Sequence, residues 1–162
     1  MTPRRSPRTR REPRLALSVQ YAVTSTGLPV PATLRRWARA ALERDASVTL
    51  RFVGGAEGRR LNATFRRKDY ATNVLTFVYD DVANDGRDRL LTGDIVLCVP
   101  VIRREARERN RTLRAHCSHL VVHGMLHLQG YDHEDDAQAA AMESREQDVL
   151  KCLSYPNPYA LA

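Results

Sequence analysis

Apolar residues recur along the chain at two spacings, and the switches between them mark out four strands and about five helices. LALSVQYAV (15–23) alternates apolar and polar side chains, as a strand with one covered face does. ATLRRWARAALERD (32–45) repeats at helical spacing and gathers Leu34, Trp37, Ala38, Ala41 and Leu42 on one side. SVTLRFV (47–53) predicts a strand, AEGRRLNATFRR (56–67) a helix and NVLTFVY (73–79) a strand. The acidic, turn-rich DDVANDGRDR follows as a loop. GDIVLCV (93–99) is an apolar strand, and Pro100 then opens a helix over 101–109. The next helix starts near Thr112 and runs to Gly130, a stop signal. Glu134, Asp135 and Asp136 stand at the start of a last helix, where negative charge suits the helix dipole, and that helix ends before YPNPY. No internal repeat is visible, and the pattern predicts one sheet with helices packed on it.

Composition narrows the class. The 162 residues suffice for one domain with a real core, and no apolar run reaches the 18 or more residues of a membrane span. The first residues lack an apolar stretch with a small-residue cleavage site, which argues against secretion. Cys98, Cys117 and Cys152 are scattered and form no C-x2-C pair, so neither a thiolate zinc knuckle nor a disulfide framework is supported. A reducing cytoplasm fits, with the cysteines as small apolar residues.

The net charge of +7 is unevenly placed. MTPRRSPRTRREPR (1–14) holds six arginines and one glutamate and reads as a disordered basic tail, leaving 15–162 as the single folded domain. RREARERNRTLR (103–114) holds six arginines against two glutamates, whereas 132–148 holds seven acids against Arg145. Basic segments suggest a polyanionic partner, nucleic acid before membrane, although a charge run is more often a solvated helix face.

All five histidines fall between 116 and 133. On a helix, His116, His119, His123 and His127 lie within an arc of about 80°. His123 and His127, at i and i+4, can reach one metal ion. Gly130 permits a sharp turn after which His133 can fold back as a third ligand. Three neutral imidazoles with an open position describe a catalytic site, with zinc favoured and other divalent metals possible. His116 and His119 remain open between orienting the ligands, hydrogen-bonding in the core and touching substrate. A structural role is favoured, and His119 is kept as a candidate substrate contact. Asp132 either orients a ligand or caps a helix.

The string HGMLHLQGYDH differs from the metalloprotease pattern H-E-x-x-H at one decisive place. Glutamate there takes a proton from the metal's water, and Gly124 has no side chain for that task. A glycine inside a helix costs roughly 1 kcal/mol relative to alanine. It would be tolerated if a substrate or another backbone must come close.

HGMLHLQGYDHE resembles the signature of the YbeY family of bacterial endoribonucleases. RRKDYATNVLTF (66–77) resembles that family's R-G-K-D-x-P-T-[DN]-V-L-S-F block, and TGDIVLC (92–98) its L-G-D-I-x-I strand. HCSHLVVHG, Met142-Glu143 and the final NPY match as well, so the resemblance covers roughly residues 47–159. Arg67 stands where the family has Gly, Ala71 where it has Pro and Thr76 where it has Ser, while Arg66, Asp69, Thr72 and Asn73 are in place.

The resemblance implies a zincin-like α+β fold with a mixed sheet of about four strands. It also implies one metal, Zn2+, held by His123, His127 and His133, and a functional arginine at Arg66. The implied activity is single-strand-specific cleavage at the 3′ end of small-subunit rRNA, in ribosome maturation and quality control. The expected partners are precursor rRNA, the small ribosomal subunit and its assembly factors, with no membrane and no DNA, in the cytoplasm. From the residues alone, Arg66, Arg67 and Lys68 form a cation cluster before a strand, and guanidinium pairs bidentately with phosphate. Arg67, Lys68, Asn73 and His119 are the remaining candidates for substrate contact. Two rivals stay open: a metallopeptidase-like hydrolase, against which Gly124 counts, and a non-catalytic RNA-binding assembly factor.

Overall fold

The computed structural model describes residues 11–68, 70–79 and 90–160. The alternating segments become β1 (Leu15–Tyr21), β2 (Ala46–Val53), β3 (Val74–Tyr79) and β4 (Leu91–Cys98). The helical ones become α1 (Pro31–Ala40), α2 (Gly55–Arg66), α3 (Val99–Glu108), α4 (Leu113–Leu128) and α5 (Asp136–Cys152). The sheet order is β1-β2-β4-β3. β1, β2 and β4 run parallel, and β3 pairs antiparallel with β4, so the sheet is mixed and β3 is an edge.

The sheet is covered unequally, as its side-chain alternation requires. Val48, Leu50 and Phe52 of β2 and Ile95 and Leu97 of β4 join one core with Trp37 of α1, Met125 of α4 and Leu150 of α5. A smaller cluster around Leu75, Val96 and Cys98 receives Leu61 of α2 on its border. Gly93 permits the close approach that shapes the site. A Cβ there would lie 2.8 Å from Leu128 Cδ2 and 2.8 Å from the Phe77 carbonyl oxygen. The C-terminal end of α4 therefore sits directly against the β4–β3 edge.

α1 stops at Ala40, short of the helix expected to 45. The residues after it are claimed by other partners. Glu43 N–H donates to Gln129 Oε1 at 2.6 Å, and Asp45 accepts from the Arg14 backbone N–H at 2.8 Å and from the Arg11 guanidinium at 3.2 Å. The proposed tail thus has its last four residues placed beside β2, while residues 1–10, Asp69 and residues 80–89, where a loop was expected, lie outside the described residues. Among the described residues, no helix is long and apolar enough to cross a membrane.

Candidate active site

α4 carries four of the five histidines, and its composition explains its place. It begins at Thr112, whose side chain accepts the Ala115 N–H at 3.0 Å. From His116 to Leu128 every residue is buried except His123 and His127, which are half-buried. A helix apolar on all sides belongs in an interior, and these two positions are where α4 meets open space. Gly124 faces the sheet: a Cβ would lie 3.0 Å from Ile95 Cδ1 and Cγ2. What comes close at Gly124 is a core side chain of β4.

Gly130 ends the helix in a left-handed conformation, with φ +104. Its N–H donates to the His127 carbonyl at 3.1 Å, and the Tyr131 N–H to the Leu126 carbonyl at 3.1 Å. That paired closure is the Schellman motif. The chain doubles back from it and brings His133 to the other two rings. The ring centroids of His123 and His127 are 6.3 Å apart, His123 and His133 5.9 Å, and His127 and His133 6.0 Å.

Two of these rings have their tautomer set by a neighbour. His127 Nδ1 lies 3.0 Å from the Tyr131 carbonyl oxygen, which can only accept, so Nδ1 carries the proton. His123 Nδ1 lies 2.6 Å from Glu146 Oε1. Glu146 is 1% exposed. Burial by itself would push its carboxyl up, but hydrogen bonds from His119, His123 and Tyr159 together outweigh it and hold the pKa at about 2. Glu146 is therefore an anion, and His123 donates to it through Nδ1–H. With Nδ1 engaged in each ring, Nε2 is the nitrogen left for a metal. Burial also lowers the pKa of His127, which favours the neutral ring.

A cleft of about 520 Å³ opens beside these rings. Phe65 and Arg66 from the end of α2 and Val74–Phe77 of β3 line one part of it; His123, His127, Asp132, His133 and Glu134 line the rest. Arg66 and the three histidines, distant in sequence, thus share one cavity. The other candidates are placed elsewhere. Arg67 and Lys68 are exposed past the end of α2 and do not line the cleft. Arg67 holds φ 57 and ψ 33, a left-handed conformation that favours glycine. Asn73 donates to Glu105 Oε2 at 3.1 Å. His119 is buried, with Nε2 2.9 Å from Glu146 Oε2 and 3.3 Å from the Tyr159 hydroxyl. His116 lies wholly inside, 3.4 Å from Glu105, and burial lowers its pKa. Asp132 accepts the His133 backbone N–H at 2.8 Å, and the cap of α5 is Asp135.

Glu146 and Tyr159, which donates to it, had no place among the sequence candidates. The signal for Glu146 was present: it shares a face of α5 with Met142, Val149 and Leu150, all buried, and an acid in an apolar stripe needs a partner.

The donor set suits a metal. Among the described residues, no group of three or more His, Cys, Asp or Glu is drawn in to ligand distance. The rings of His123, His127 and His133 nevertheless stand together, 5.9 to 6.3 Å between centroids, and these are the residues that would hold an ion.

A four-stranded mixed sheet with helices packed on it, one of them presenting paired histidines, is the α+β, zincin-like arrangement. The model of the family described as endoribonuclease YbeY matches residues 26–154. An Endoribonuclease YbeY of Aromatoleum aromaticum is 57% identical over 150 residues, covering 91% of this chain and 94% of that one. Another, of Methylobacillus flagellatus, is 53% identical over 148 residues, covering 91% and 95%. A Thermotoga maritima protein solved in solution shares the fold, with TM-score 0.52 and 24% identity over 90% of this chain and 99% of that one. The chain belongs to the YbeY endoribonuclease family.

Proposed function

We propose that this protein is a metal-dependent, single-strand-specific endoribonuclease that acts at the 3′ end of small-subunit rRNA during ribosome maturation and quality control. The relatives' shared name supports the endoribonuclease activity. The observation that carries the reading is that Arg66 and the three histidines line one cleft.

His123, His127 and His133 would hold one divalent ion, with zinc the best match to three imidazoles. Such an ion lowers the pKa of water and polarises a phosphoryl oxygen. Glu146 and the Tyr131 carbonyl hold the far nitrogens of His123 and His127, which orients both rings. Arg66 clamps the phosphate through its paired N–H donors and offsets charge as it develops. Gly124 leaves no carboxylate at the position a peptidase would use, and its place against Ile95 leaves no room for one. Residues 15–162 form the single domain that carries this activity. The basic residues before it add affinity for the RNA backbone, and precursor rRNA, the small subunit and its assembly factors are the partners, in the cytoplasm.

The test is cleavage of a single-stranded rRNA precursor and of its duplexed form, with metal content measured in parallel. Wild type cuts the single strand. His133→Ala loses metal and cutting together, whereas Arg66→Ala keeps metal and loses cutting. A His133→Ala protein that has lost its metal and still cuts would end the reading.

A further inference from the structure

Phe65 is the cleft residue whose position the core does not explain. It is 62% exposed on the last turn of α2. Its ring meets Phe77 of β3 with centroids 5.0 Å apart and planes at 69°, an edge-to-face contact that braces one side and leaves the rest open. A single exposed apolar side chain on a surface is ordinary. This one lines the cavity that holds the histidine rings and immediately precedes Arg66.

We propose that Phe65 is the stacking platform for one unpaired base of the RNA substrate, next to the phosphate that Arg66 holds. The inference rests on the endoribonuclease reading and adds the residue that reads strandedness. The charges of the cleft set the path of the strand. Arg66 belongs to the α2 side, with Arg67 and Lys68 following it, while Asp132 and Glu134 belong to the side after α4. A phosphate backbone is drawn to the first side and repelled from the second. A strand that runs along α2 brings a base to Phe65 as it brings a phosphate to Arg66. In a duplex the bases are stacked on one another and withheld, so only a splayed base can use the ring. Every base has a π-face, so such a platform tolerates sequence while rejecting paired RNA. The brace from Phe77 holds the ring in place before binding, which reduces the ordering it must undergo.

A cycle between protein and substrate tests this. Single-stranded RNA oligomers carry one abasic ribose, moved a position at a time through the sequence. kcat/KM is measured for wild type, Phe65→Ala, Phe65→Leu and Phe65→Trp. Equilibrium binding of the fully 2′-O-methylated oligomers is read by fluorescence anisotropy. At one position the abasic site should weaken wild type by about 10-fold or more, and Phe65→Ala by less than about 2-fold, because the partner of the missing base is already gone. Phe65→Trp should retain the wild-type pattern and Phe65→Leu should lose it. Equal losses in wild type and Phe65→Ala at every position, or full replacement by leucine, overturns the proposal. If wild type binds but does not cut RNA, the endoribonuclease reading fails, and the binding cycle still decides whether Phe65 stacks.

Discussion

Replacing Gly124 by alanine sets two effects against each other. Inside a helix, alanine is favoured over glycine by about 1 kcal/mol. The added methyl would lie 3.0 Å from Ile95 Cδ1 and Cγ2 and 3.3 Å from Cγ1. Overpacking a fitted core costs about 1–3 kcal/mol. The atoms in the way belong to one side chain and need to yield only a few tenths of an ångström, so the cost falls near the middle, about 2 kcal/mol. Gly124→Ala should then destabilise by about 1 kcal/mol, a fall in Tm of roughly 2–4 °C for a chain of this length. Ile95→Ala deletes all three opposing atoms. In that background Gly124→Ala should stabilise by about 1 kcal/mol, giving a coupling of about 2 kcal/mol. Ile95→Val, which deletes Cδ1 but keeps Cγ2, should fall between. Denaturant unfolding of the single and double variants measures the cycle, and RNA cleavage by the double variant should persist. A wild-type background in which Gly124→Ala raises stability, or a cycle with no coupling, would refute the packing argument. A well-folded double variant without cleavage would return Gly124 to the substrate's side.

Arg66→Ala should keep its metal and its fold and lose cleavage by about 10²- to 10³-fold, as expected for one group that stabilises charge in the transition state. Arg66→Lys should recover only part of that, because lysine lacks the fork geometry, and Arg67→Ala should be milder; rates at saturating metal compare them. Arg67→Gly should raise stability by about 1 kcal/mol by relieving the left-handed backbone at φ 57, a gain in Tm that calorimetry can read. Glu146→Ala leaves His119, His123 and Tyr159 without their shared acceptor. It should cost about 1–3 kcal/mol in unfolding, the penalty for buried donors left unpaired, and weaken metal binding by about 10- to 100-fold in a chelator competition. Removing residues 1–10, which carry four arginines, should flatten the salt dependence of RNA binding by a slope of at most about 3, with cleavage at saturating RNA unchanged.

The strands and helices were legible because each announces itself locally. The alternation in SVTLRFV and the helical spacing of Leu34, Trp37 and Ala38 come from side chains that must all reach one face. The stop at Gly130 was equally local, since a left-handed residue is needed there. Strand order was not legible. That β4 inserts between β2 and β3, and that β3 runs antiparallel, depends on pairings between distant segments. The same holds for residues 41–45, which have helical composition but take partners from Arg11, Arg14 and Gln129. At the candidate site, the i, i+4 pair of histidines was written in the spacing. The binding of His123 to Glu146 needed α5 in place. The reason for Gly124 lay in Ile95, a residue that carries no chemistry and so attracted no notice.

The burial of α4 also bears on how such a chain can diverge. Between His116 and Leu128 almost every position already serves as core, and the two half-open ones are the histidines. A substitution there disturbs either the interior or the site, so neutral drift has little to work with. The rims differ. Phe65 and Arg67 at the end of α2 and Glu134 after the turn are exposed, and they can change without moving the helix. Inheritance is thus split between a nearly immobile segment that preserves the reaction and a pliable border on which selection can adjust the choice of RNA.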